Sequence, residues 1–408
     1  MRRRQFLVGA AGCLGSAVPL LGRAQEKPCP PSTFSVSGGS SAVTQCVAPT
    51  GGPAWLQGRG VNEWFQIPNT ALSSVEPTLD SIQRAISGPS SKINTWQGAA
   101  LKRQGSVYML AACGGHGDYA GNEVDAIALN ADSPRWVQLR APTPGKDIIN
   151  GSECYLDRRR SATHTYYCQH FSDATNRLIL MPAPGMGLSS LPSPPSGWPY
   201  GDKHPMAFSL ETNDWMAPET YAEMPIGDRS DFTACLAVMH HGTGDVYYAR
   251  NYDDGRYWKF SPSTGTTSLI GTIWHQNYAG AAIDHTRNRM LLVGDYGGTM
   301  APRVINVTTG ASVSASFGGL GPDVLKFGGY PGVVFDEAND RYLVFRNSEP
   351  IATYAVNAAT WQVSQLATSG SPAARPNGIH NSVQYVPELK GVVVANSYRG
   401  NMYFMRVA

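Results

Sequence analysis

His116, Asp118 and Tyr119 lie close together in the stretch Ala112 to Val124, A-C-G-G-H-G-D-Y-A-G-N-E-V. Side chains that take up and release protons stand here on a glycine-flanked loop, where nothing in the sequence suggests a packing role for His116. A second cluster, Arg160, His164 and Tyr166, follows in R-S-A-T-H-T-Y. Histidine with tyrosine and arginine suits proton abstraction beside a carboxylate: one side chain takes the proton, another protonates the leaving oxygen, and a cation neutralises the carboxylate. On roles alone, His116 and His164 with Tyr119 or Tyr166 are the candidate acid and base, and Arg160 or Arg229 the carboxylate partner. Asp118 and Glu123 could equally serve the backbone donors of their own loop.

Other chemistries lack their residues. No G-x-S-x-G elbow, H-E-x-x-H pair, S-x-D-x-G-x-x-W box or C-x-x-C occurs, and the carboxylates form no obvious hydrolytic pair. A copper site of two tyrosines, two histidines and a cysteine-modified tyrosine is thinkable around Cys113, His116 and Tyr119, but no spacing supports it. No cofactor is expected. A metal on His116, His164 and a third ligand is allowed by the histidine count without being supported by it.

The elements that would carry these residues recur along the chain. Six hairpin patterns can be aligned, each an apolar strand, a polar turn of about six residues and a second apolar strand. They span Gly98 to Ala112, Thr163 to Met181, Phe232 to Ala249, Tyr278 to Val293, Tyr330 to Phe345 and Gly378 to Ala395. A third apolar segment follows most of them, often ending past an Asn or Asp turn in an aromatic residue such as Trp136, Trp215 or Trp361. The 44 glycines and 29 prolines of the 408 residues suit short strands and tight turns. The expected fold is all-β, a β-propeller of six or seven four-stranded blades. The last hairpin has only Asn401 to Val407 after it, so the strand near Trp64 is expected to supply the outer strand and close the ring. A seventh blade could hide in Pro182 to Lys203 or in the N-terminal lead, and Ser81 to Ser87 reads as a short helix.

Gly114-Gly115 at a strand end, R-S-A-T-H-T-Y at a strand start, and the Asn213-Asp214-Trp215 and Ala359-Thr360-Trp361 turns carry a resemblance to the kelch and galactose-oxidase-like propellers. It covers most of the chain after about Thr95 and implies fold more than chemistry. In an antiparallel meander, the start of the first strand and the end of the second lie at the same end of a blade. One face therefore gathers Asp118, Asn122, Arg160, Arg229, Tyr252, Tyr278, Tyr296, Arg375 and His380 with the acid/base candidates. His170, His240, His241 and His285 fall at the opposite rim, where solvent exposure is expected. In fold and residue type the chain also resembles the propeller polysaccharide lyases, such as the ulvan lyases. That resemblance implies β-elimination on an acidic polysaccharide, the alternative being a propeller that binds glycan or protein without catalysis.

Arg2-Arg3-Arg4-Gln5-Phe6-Leu7 and the apolar run to Leu21 resemble a twin-arginine export signal, with cleavage expected after Ala24. Residues 25 to 60 form a Pro/Ser/Gly-rich lead and 61 to 408 one domain. The protein is expected in the periplasm or outside the cell, as a monomer without membrane contact once the signal is removed. Thirty-two basic against 30 acidic residues give a net charge of +2 and no reason to expect nucleic acid. Six cysteines beyond Cys13 make disulfides plausible; Cys29 with Cys46 and Cys154 with Cys168 are the near pairs.

Overall fold

The computed structural model describes residues 52–111, 117–183, 185–201, 203–226, 235–249, 255–273 and 278–408. Within them the chain forms six antiparallel sheets, each built on one of the six hairpins. Blade 1 runs Ala100–Lys102, Val107–Ala111, Val124–Ala128 and Trp136–Arg140. Blade 2 is Gln169–Ser172, Arg177–Leu180, Met206–Ser209 and Asp214–Trp215, and blade 3 is Leu236–His240, Asp245–Ala249, Arg256–Ser261 and Thr266–Thr272. Blade 4 follows as Gly280–Asp284, Arg289–Val293, Arg303–Asn306 and Ser312–Val313. In blade 5, Gly332–Asp336, Arg341–Arg346, Ala352–Asn357 and Gln362–Gln365 gain a parallel fifth strand, Gly318–Gly319.

Blade 6 takes Gln384–Val386, Gly391–Val394 and Tyr403–Arg406 from the C-terminus and Trp64–Gln66 from the N-terminus, with Trp64 opposite Met405 and Gln66 opposite Tyr403. The ring therefore closes by pairing Trp64–Gln66 with the strand Tyr403–Arg406, as expected. First strands of successive blades touch all the way round, blade 6 meeting blade 1, so the first strands line the axis. Among the described residues six blades account for the sheets. Residues 182–203 form no strand among the described residues, and Met186, Leu188, Leu191 and Trp198 pack instead with Ile148, Ile149 and Tyr155 beside blades 1 and 2. Trp55 and Leu56 are buried, and Trp55 meets Phe404 edge to face at 5.1 Å.

The cores lie between blades, because each sheet buries both faces against its neighbours. Inner strands such as Leu236–His240 and Gly332–Asp336 are buried along their whole length, which is why they read as continuous apolar runs. The helix expected at 81–87 is one turn, Ser81–Arg84, started by a capping box between Asp80 and Gln83. It ends at Ala85, whose φ of 48° is left-handed.

One disulfide is present among the described residues, and it corrects the expected pairing. Cys168 joins Cys235, 67 residues away and at the inner edge of the next blade, rather than Cys154. Cys154 is a buried free thiol pushed up to about 12 by burial and by the neighbouring Glu153, which leaves it inert. Cys29, Cys46 and Cys113 lie outside the described residues. No described helix is long and apolar enough to cross a membrane.

Candidate functional site

The face that carries the second-to-third strand loops holds a ring of aromatic side chains at the channel mouth. Their positions follow from register. The first hairpins close on the pairs Lys102–Val107, Ser172–Arg177, His240–Asp245, Asp284–Arg289, Asp336–Arg341 and Val386–Gly391. Counting back six residues from the first member of each pair lands on Trp96, Tyr166, Ala234, Tyr278, Tyr330 and His380. Ala234 lies outside the described residues; the other five are all left-handed, with φ of 38°, 43°, 67°, 62° and 50° in that order. Bulky side chains rarely adopt this conformation, and here it recurs where the chain turns from one blade into the inner strand of the next.

Neighbouring backbone holds the turns in place. Tyr166 N donates to Trp96 O at 2.9 Å, and Ile379 N to Tyr330 O at 2.9 Å. Two residues after each ring the side chain is small in blades 1, 2, 4, 5 and 6: Gly98, Cys168, Gly280, Gly332 and Ser382. A Cβ on Gly98 would overlap the Tyr166 carbonyl, and one on Gly332 would come within 2.6 Å of Ile379 Cγ2. Adjacent inner strands approach too closely for anything larger.

The rings form one connected set. Tyr278 meets Tyr330 at 4.4 Å between centroids, Tyr330 stacks on His380 at 5.2 Å, and His380 meets Tyr166 at 5.5 Å. Tyr166 continues to His164 at 5.8 Å and His164 to Trp96 at 5.0 Å, while Tyr296 extends the set outward from Tyr278 at 5.7 Å. Trp96, Tyr278 and Tyr330 are half-buried, Tyr166 and His380 lie beneath them, and Tyr296 is 69% exposed.

His164 joins this collar to the glycine-rich loop. Its Nε2 lies 2.8 Å from Asp118 Oδ2. Asp118 thus spends its carboxylate on His164 rather than on its own loop, while its carbonyl accepts from Ser87 N and Gly88 N. The carboxylate fixes the orientation of the imidazole through this nitrogen. R-S-A-T-H-T-Y, expected at a strand start, precedes the strand: it begins at Gln169, and Tyr166 turns the chain into it.

His380 donates from Nε2 to Asn377 O at 2.9 Å, and its Nδ1 is buried with no hydrogen-bond partner among the described residues. Burial holds its pKa down at about 3, so the ring is neutral. Burial, then the neighbouring Tyr296 phenol, pushes Tyr330 upward and keeps it protonated.

His164 is itself only 2% exposed, and several other candidates lie as deep. Arg160 is buried, with Nη2 on Ala183 O at 2.7 Å and Nη1 on Glu153 O at 3.3 Å. Arg375 is buried too, its Nη1 donating to Gln97 O, Gly378 O and Ile379 O. Both guanidiniums tie loops together beneath the mouth. Asn122 is held by Thr143 and the Arg160 carbonyl, in keeping with its place in the blade framework. Tyr119 is fully buried and donates to Glu123, which with Asp125 surrounds the buried Lys92. Glu123 is therefore an ion-pair partner, not a loop cap. His116, Arg229 and Tyr252 lie outside the described residues.

At the opposite end of the channel, two of the histidines expected in solvent are buried. His240 bonds Asn288 Oδ1 at 2.8 Å, and His170, in the inner strand of blade 2, has its pKa lowered to about 4 by burial. His241 is exposed and His285 partly so. Among the described residues no three His, Cys, Asp or Glu side chains converge to hold a metal ion.

Trp96 and Tyr330 are the mouth residues that sequence reading passes over. Their signal is the fixed six-residue spacing to the hairpin, visible only when the copies are aligned on that turn.

No family model and no curated protein matches the chain. Among solved structures, one described as "Structure of YjhT" is similar over 75% of this chain and 92% of its own, with a TM-score of 0.47 and 11% identity.

Proposed function

We propose that the collar face binds an acidic polysaccharide and cleaves it by β-elimination. The observation that carries this reading is the His164–Asp118 hydrogen bond, which fixes an imidazole among the aromatic side chains of the mouth. His164 and Tyr166 are each 2% exposed, so a uronate reaches them only by displacing the rings above; His164 then takes the C5 proton, the C4–C5 double bond forms, and the C4–O4 bond breaks as Tyr166 protonates the leaving oxygen. Asp118 stabilises the imidazolium that results. The substrate carboxylate needs a cation. Arg160 and Arg375 are engaged with backbone carbonyls, so Arg229 is the candidate that remains from the sequence, with His116 as a second acid/base group.

Incubation with a panel of uronate polymers tests the proposal by absorbance at roughly 230 to 240 nm, where the unsaturated product of β-elimination absorbs. Wild-type protein should generate the band from at least one polymer and His164→Ala should not. A His164→Ala variant that turns over at the wild-type rate would refute the assignment. The collar favours a second reading, glycan binding without cleavage, and polymer retention with no absorbance change on any substrate would select it.

A further inference from the structure

We infer that the aromatic collar is a sugar-stacking subsite in which Trp96, Tyr278 and Tyr330, extended by Tyr296, receive the pyranose rings of a polysaccharide chain. This rests on the reading of the mouth as a saccharide site, though not on catalysis there. Five of six blades place a ring at the same register position, and each described copy holds it in the same left-handed turn. Core packing needs no such rule: the interior side chains of the blades are mostly aliphatic.

The collar holds two rings that carry no charge at neutral pH, His380 because burial lowers its pKa and Tyr330 because burial raises its own. Its half-buried rings suit neither a small ion nor a flat protein surface. A pyranose fits this chemistry: its axial C–H bonds meet the electron-rich face of an aromatic ring, while its equatorial hydroxyls reach phenol oxygens at the rim. A polar atom awaits at the floor, the buried Nδ1 of His380. The most exposed ring, Tyr296, lies outward of Tyr278, which gives the subsite a direction, from the axis out over blade 4.

Binding is measured by affinity electrophoresis of the mature chain in polygalacturonate, alginate, hyaluronan and neutral xyloglucan. Wild-type protein should be retarded by at least one polymer. Tyr330→Ala and Tyr296→Ala should each weaken that retardation by about tenfold, and Tyr296→Trp should restore it. Tyr330 helps to shape a turn, so its replacement could disturb folding; Tyr296 is exposed, and its variant should melt as wild type does. Retardation by no polymer, or wild-type affinity in Tyr296→Ala together with Tyr330→Ala, would overturn the subsite. The lyase reading fails separately: a polymer bound through the collar but never cleaved refutes catalysis alone, and one cleaved with a KM insensitive to both tyrosines refutes the collar alone.

Discussion

At the residue scale, His164 depends on Asp118 for its orientation. Asp118→Asn keeps the shape and removes the charge, so turnover should fall by about 10²-fold or more with KM little changed, measured as the rate of unsaturated product formation. The buried histidines make a separate prediction about stability. His170 and His380 have folded pKa values near 4 and 3, below the ordinary value of 6.5 given to both. Below pH 6.5 the unfolded chain binds protons that the folded chain refuses, so their contribution to stability is intact above 6.5 and is lost as pH falls toward 4. Asp125 opposes them, since its pKa is raised to about 6, chiefly by burial, and its protonation favours the folded state on acidification. Urea melts at pH 7 and pH 4.5 should show the decline, and His170→Gln should flatten it by up to about 1.4 kcal/mol per pH unit.

At the scale of elements, two features hold the loop of Asp118 and the inner strand starts. Lys92, just before blade 1, is buried between Glu123 and Asp125 and holds the end of that loop against the third strand. Lys92→Met removes the cation and leaves two carboxylates facing each other without water. The loss should be about 3 to 5 kcal/mol in a denaturant melt, and Asp118 should be displaced with the loop. The Cys168–Cys235 bond ties the inner edges of blades 2 and 3. Replacing both cysteines with serine should lower stability by about 2 to 4 kcal/mol, and the lower melting temperature should no longer respond to reductant.

For the molecule as a whole, stability depends on closing the ring. Phe404 of blade 6 packs with Trp55 and Phe65, which arrive from the other end of the chain. Phe404→Ala should cost about 3 to 5 kcal/mol, read from a single cooperative unfolding transition, because opening blade 6 exposes both neighbouring cores. A chain lacking residues 52–66 would leave Tyr403–Arg406 as an unpaired edge, and it should self-associate in light scattering.

The blade count of at least six, the closure near Trp64 and the pairing of every first hairpin were legible in the sequence, because alternation and turn chemistry act within a dozen residues. The face that gathers His164, Tyr166, Tyr278 and His380 was legible for the same reason, since an antiparallel meander decides which loops share an end. Burial was not. Arg160, Arg375 and Tyr119 are polar side chains beside loops, and whether such a group meets solvent or a neighbour's carbonyl depends on residues far along the chain, such as Gln97 for Arg375. The Cys168–Cys235 pairing and the His164–Asp118 bond likewise join segments brought together only when blades pack side by side. Local sequence thus determined the strands and their order around the axis, while tertiary packing decided which polar groups were buried and which partners they met, because burying a polar group requires a partner that only the assembled ring supplies.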